Sequence, residues 1–263
     1  MTSVDEARTA GGVRLRIDGG IARLTIDRPE ARNAIGFATI TELRDALDEV
    51  EASDAAVLVL RGGGDRAFVS GGDLKELSAV RTHEAAVDMA RNMRRVLDRV
   101  ASLPVPVIAA LNGSALGGGA EVAIAADVRI AADDVKIGFN QVSLGIMPAW
   151  GGIERLAQVL GRGRALLTVT TGEIYTAAQA HALGLLDVVV PRPDFDESVE
   201  SLATRLAALA PGTTRAIKSV LLGSEPTVHP ATEDHATRVF AELWNADAHW
   251  DAVARLEQRR ATR

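Results

Sequence analysis

Two short stretches of this chain have the residue types to gather main-chain donors and a carboxyl group around one point. Asn112-Gly113-Ser114-Ala115-Leu116-Gly117-Gly118-Gly119-Ala120-Glu121 passes from an apolar strand through three successive glycines into a helix of small residues. Without Cβ atoms such a turn lets a ligand touch the main chain, and the first helical turn offers N–H groups to a negative oxygen. Glu121 lies one or two turns inside that helix. A carboxylic acid beside convergent donors fits oxyanion stabilisation coupled to a nearby proton transfer. Gly71 and Gly72, within Ala67-Phe68-Val69-Ser70-Gly71-Gly72-Asp73-Leu74, bare the main chain a second time. A glycine triplet can equally serve close helix packing, so both readings stay open on these residues alone.

The elements that must position these stretches follow from periodicity and turn chemistry. Val13–Ile17 and Ile21–Ile26 alternate apolar and polar residues around Asp18-Gly19-Gly20, which predicts a β-hairpin. Arg28-Pro29 ends its second strand, and Ile40, Leu43, Leu47 and Val50 mark one face of a helix from about Ala38 to Glu51. Ala55–Leu60 reads as a buried strand. The glycines that follow it, Gly62-Gly63-Gly64, match a dinucleotide fingerprint in outline, but that motif needs a helix to begin there, and Phe68-Val69 is strand-like. Asp73 is placed to cap a helix, with Glu76 at the capping-box position. Thr82–Ser102 predicts a long amphipathic helix ended before Pro104 and Pro106, and Val107–Leu111 is the strand that feeds the central glycine turn. Short strands at Val128–Ile130 and Val135–Ile137 lead to the loop Leu144–Gly152, whose Trp150 either walls a pocket or plugs the core. Further on, Thr176–Gln179 forms a capping box, Gly184 a helix C-cap and Asp187–Val190 a strand. Helices are expected over 194–210, 213–222, 231–243 and 247–260, with a boundary near residue 195 between a core (1–195) and a helical region (196–263).

Composition narrows the classes. The 263 residues are 47% hydrophobic, enough for one large folded domain with or without an appendage. A net charge of -6, with both signs interspersed, speaks against a nucleic-acid surface. There is no cysteine, hence no thiolate nucleophile and no thiolate-bound metal. No HExxH, P-loop or nucleophile-elbow pattern occurs, and no metal site is expected. A polar N-terminus and the lack of any run of about 18 apolar residues lead to the expectation of a cytoplasmic protein with no membrane partner.

Three segments together, Arg28-Pro29-Glu30-Ala31-Arg32-Asn33-Ala34, Ala67–Leu74 and Asn112–Glu121, resemble in order and spacing the enoyl-CoA hydratase/isomerase (crotonase) family. The resemblance runs from the hairpin at Val13 to the C-terminal helices. It implies an α/β fold, a spiral of ββα repeats with a C-terminal helical region that covers the pocket, usually assembled as homotrimers or homohexamers. It implies an acyl-CoA substrate and no cofactor, CoA being part of the substrate. By the same resemblance the N–H groups of Gly72 and Gly118 form an oxyanion hole for the thioester carbonyl, and Glu121 is the acid/base. Gly71 and Asp73 belong to the substrate-binding set, the backbone around Ala31, Asn33, Ala67 and Phe68 holds the adenine end of CoA, and Arg259 or Arg260 meets a CoA phosphate.

The family's hydratases use two glutamates to hold and deprotonate water. Glu121 matches the first, whereas Gln141 falls where the second belongs, and an amide can hold a water without accepting its proton. Ethylmalonyl-CoA and methylmalonyl-CoA decarboxylases share more of this chain's motifs, including Gly145-Ile146-x-Pro148-x-Trp150-Gly151-Gly152 and the region of Trp244. Trp150 would then line the pocket that desolvates a leaving carboxylate. Four outcomes are carried forward: a malonyl-type decarboxylase, an enoyl-CoA hydratase, a double-bond isomerase in which Glu121 alone shuttles the proton, and a non-catalytic CoA-binding scaffold.

Overall fold

A computed structural model describes residues 8–10, 12–224 and 230–261. It opens with β1 (Arg8–Ala10), β2 (Val13–Asp18) and β3 (Ile21–Ile26); β2 and β3 form the predicted antiparallel hairpin, with Val13 opposite Ile26. Helix α1 (Phe37–Ala52) follows and buries Ile40, Leu43, Leu47 and Val50, the four residues whose spacing marked its inner face.

The chain then repeats one unit three times. β4 (Val57–Gly62) and β5 (Ala67–Val69) lead to α2 (Leu74–Leu77) and α3 (His83–Ser102). β6 (Val107–Leu111) and β7 (Ser114–Leu116) lead to α4 (Gly118–Ile124). β8 (Val128–Ala132) and β9 (Lys136–Gly138) lead to a 3-10 turn at Asn140–Leu144 and to α5 (Gly152–Leu160). The first strands of the units, β4, β6 and β8, lie parallel and adjacent in a seven-stranded sheet, and the second strands, β5, β7 and β9, do so in a four-stranded sheet. Each unit therefore lays one strand in each sheet, which makes the path a spiral. Strand β4 is followed by β5 rather than by a helix, so Gly62–Gly64 is a strand-to-strand turn and not a dinucleotide loop.

Two buried asparagines clasp the β4–β5 crossing between the sheets. Asn112 donates to Gly62 O (2.9 Å) and Gly64 O (2.6 Å) and accepts from Gly62 N (3.0 Å). Asn33 donates to Gly63 O (2.9 Å) and Ala67 O (2.7 Å) and accepts from Arg28 N (2.9 Å). Loop carbonyls buried under the next turn would otherwise lack donors.

Asp73 caps α2 as its type suggests, but Glu76 does not close the box. Its carboxylate accepts from Phe37 N at 2.8 Å instead, because the cap residue of α1 is Gly36, which has no side chain to satisfy that end. The capping box at Thr176–Gln179 and the left-handed cap at Gly184 form as expected.

After α6 (Arg162–Thr171) come β10 (Tyr175–Thr176), α7 (Ala177–Leu183), β11 (Val188–Val190) and then helices α8 (Phe195–Ala207), α9 (Pro211–Ser224), α10 (Pro230–Asn245) and α11 (Asp247–Ala261). α10 packs along α3 and buries Phe240 and Trp244, whose indole donates to Val80 O at 3.0 Å. α11 is tied to the 3-10 turn by the fully buried His249, whose Nδ1–H donates to Leu144 O at 2.6 Å. Among the described residues no helix is long and apolar enough to cross a membrane.

Candidate active site

The two glycine stretches meet at one place. Gly72 forms an isolated bridge with Ile35 in which Ile35 N donates to Gly71 O and Asp73 N to Ile35 O, each at 2.9 Å, so the N–H of Gly72 points away from Ile35. Gly71 has φ +104°, a conformation that side chains rarely adopt, and a Cβ there would lie 3.3 Å from the amide nitrogen of Gly118. Gly118 begins α4, so its N–H has no partner within the helix. Its missing side chain is occupied space: a Cβ would fall 2.2 Å from the Trp150 ring.

Gly71, Gly72, Gly118, Glu121, Gln141 and Trp150 line a single cavity of about 450 Å³. Much of the remaining wall is apolar, contributed by Leu77 of α2, Met89 of α3, and Phe240 and Trp244 of α10. The cationic side chains of Arg32, Arg255 and Arg259 also line it. The side chain of Arg260 lies outside the described residues.

Glu121 is 2% exposed and is held by donors on every side. Oε1 accepts from Gln141 Nε2 (3.0 Å) and Ala149 N (3.3 Å). Oε2 accepts from Trp150 N (2.7 Å) and Gly152 N (3.0 Å). Burial pushes its carboxyl up to about 7; the N–H groups of Trp150, Gly152 and Ala149 pull against that rise, and the charge of Glu154 adds to it. Near neutral pH such a group exists in both forms, as an acid/base must. The donors come from the loop before α5, which Arg155 fastens by donating to Trp150 O at 2.9 Å while pairing with Asp98.

The remaining expected residues lie around this centre. Ala31 and Asp73 line an adjoining groove that shares Arg32, Ser70, Gly72, Leu74 and Leu256 with the cavity. Asp73 is also bound to Arg28 at 2.9 Å. Asn33, Ala67 and Phe68 are buried behind the cavity wall, where Asn33 and the carbonyl of Ala67 form one of the clasps and Phe68 is core. Trp150, 9% exposed, both fills core space and walls the cavity. Sequence reasoning missed Arg155, Met89 and Phe240. Met89 and Phe240 carry no signal that separates them from ordinary helix core, and Arg155 looks like any charge in a first helical turn.

Known proteins resemble this chain over most of its length. The enoyl-CoA hydratase/isomerase family model matches residues 16–262. The short-chain-enoyl-CoA hydratase of Clostridium acetobutylicum is 31% identical over 94% of this chain and 95% of its own length. The crotonyl-CoA hydratase of Syntrophomonas wolfei is 36% identical over 71% of this chain and 72% of its own. Among solved structures, carnitinyl-CoA hydratase from Mycobacterium avium superposes with a TM-score of 0.81 at 31% identity, covering 95% of this chain and 97% of that one.

Proposed function

This chain belongs to the enoyl-CoA hydratase/isomerase family, and on that basis we propose that it is a lyase adding water to a short-chain 2-enoyl-CoA through a thioester enolate. The observation that carries the reading is Glu121: a buried carboxyl near pKa 7 in the wall of the same cavity as Gly72 and Gly118. The relatives named for crotonyl-CoA and short-chain substrates support it, as does the cavity's apolar wall.

In this reading the N–H groups of Gly72 and Gly118 receive the thioester oxygen as it gains negative charge. Each such donor is worth roughly 3–4 kcal/mol of transition-state stabilisation. Ionised Glu121 takes a proton from water as the water oxygen bonds to the β-carbon, the double-bond electrons pass to the thioester oxygen, and the enolate then takes a proton from Glu121 at the α-carbon. Water adds in full and Glu121 returns to its starting form. The CoA moiety serves as handle, and no further cofactor is needed.

Decarboxylation of a malonyl-type CoA is the second reading, and the composition of the site favours keeping it. Gln141, not a second carboxylate, stands beside Glu121, and loss of CO2 needs only the oxyanion donors and a proton for carbon. A double-bond isomerase would need no more than Glu121, and a scaffold would need none of it.

Mass spectrometry of crotonyl-CoA and methylmalonyl-CoA after incubation with the protein decides between hydration and decarboxylation, because hydration adds 18 mass units and decarboxylation removes 44, whereas isomerisation leaves the mass unchanged and is read by proton NMR of the product. We expect hydration of crotonyl-CoA, falling by about 10²–10⁴ in Glu121→Gln. Loss of CO2 without hydration would replace this reading by the second, an unchanged mass with a shifted double bond would leave the isomerase, and no turnover with retained CoA binding would leave the scaffold.

A further inference from the structure

The four hydrogen bonds on Glu121 saturate it. A carboxylate offers about four lone-pair sites, and here Gln141, Ala149, Trp150 and Gly152 fill them, leaving none for a water or a substrate proton. Three of these donors are main-chain groups of one loop that Arg155 fastens, and they cannot leave singly. Gln141 Nε2 is the one donor on a rotatable side chain. Its amide is also half satisfied: Oε1 is buried without a hydrogen-bond partner, in a residue that lines the cavity and is 7% exposed. Turning the amide over in place would set Oε1 against Glu121 Oε1, so repulsion fixes the orientation while the carboxyl is ionised. An unmade bond on a buried acceptor disfavours this arrangement, and a water would relieve it.

We propose that Gln141 is a displaceable cap on Glu121: arrival of an acyl-CoA swings the amide off Oε1, freeing that oxygen for a water whose second hydrogen goes to Gln141 Oε1. The step rests on reading the cavity as a thioester site. No covalent bond changes; one hydrogen bond is lost and two are made, and the proton later leaves the water toward Glu121 alone. Gln141 is thus a positioning residue that acts through Glu121 and the water it frees. It replaces the second carboxylate of two-glutamate hydratases by an acceptor that cannot compete for the proton. The other charges facing the carboxyl are Glu154 of α5 and, around the cavity, Arg32, Arg255 and Arg259, all unchanged by the swing.

The test reads Glu121 directly and does not depend on turnover. Protein labelled with ¹³C at the glutamate side-chain carboxyls is titrated by NMR, the Glu121 resonance being identified by its loss in Glu121→Gln. Removing the amide in Gln141→Ala, or in the better-filling Gln141→Leu, takes a charge-assisted donor from the ionised form, so the Glu121 midpoint rises by about one pH unit in the free protein. With butyryl-CoA bound, which is saturated and cannot be hydrated, the cap is already off and the wild-type and variant midpoints coincide. Equal midpoints in the free proteins overturn the proposal, and so does a difference that persists in the complex. If butyryl-CoA does not bind, the thioester reading falls and the trigger falls with it; binding with a persistent difference removes the cap alone.

Discussion

Glu121 is governed by two opposed effects, burial favouring its neutral form and four donors favouring its charge. Burial prevails, and stability depends on pH as a result. The folded protein holds this proton up to about pH 7, the unfolded chain only to about 4.5, so the folded state binds more protons between those values. The contribution is complete below about pH 4.5 and is lost as pH rises through 7, amounting to roughly 3 kcal/mol. Glu121→Gln abolishes that dependence while adding a pH-independent penalty of about 1–3 kcal/mol, because the amide's NH₂ must face main-chain N–H groups. Urea denaturation at pH 5 and pH 8 checks this: the variant, less stable at pH 5, should gain on the wild type by pH 8, and a constant difference would refute it. Gly72, Gly118 and Glu121 were legible in the sequence because glycine pairs and a lone acid in an apolar helix are locally conspicuous. The loop N–H groups on Glu121 were not, since main-chain donors have no side chain to announce them and come from residues 28 to 31 positions away.

Among the elements, the first turn of α4 and the loop before α5 form one rigid unit through the contact of Gly118 with Trp150. Gly118→Ala should push the indole or the helix start aside, costing about 1–3 kcal/mol as overpacking does and displacing the Gly118 N–H. Thermal unfolding and crotonyl-CoA kinetics test it: kcat should fall more than the loss of stability explains, whereas unchanged kcat would mean that this N–H does not touch the reacting oxygen. Helix spans were legible because α1 and α3 each keep an apolar face through their length. The destination of Glu76 was not. Its spacing from Asp73 fits a local box, but Gly36, forty residues earlier in the chain, leaves a donor that tertiary packing delivers to it.

At the scale of the molecule, the alternation of strands, glycine turns and helices was readable, while the division of strands between two sheets was not. Each repeat's two strands read alike as short runs with apolar residues, and how the crossings stack rests on partners distant in the chain: Asn33 and Asn112 both hold the β4–β5 turn, one from before it and one from after. Exposed apolar side chains also concentrate on α6 and α9, where Leu166, Leu167, Ile217, Val220 and Leu221 are 57–71% exposed. These are the faces through which the homotrimer or homohexamer that the family resemblance implies would assemble. Light scattering should give three or six times the 27.7 kDa chain mass, and Leu167→Glu with Val220→Glu should lower it. A monomeric wild type would refute the assembly. The fit of Trp150 against Gly118 also restricts how this sequence can change with time. At position 118 any side chain must displace the indole or the helix start, whereas position 150 can shrink and leave only a gap. A side chain gained at 118 is therefore accommodated without that displacement only where the tryptophan has been lost, and the tryptophan's return then meets the same clash.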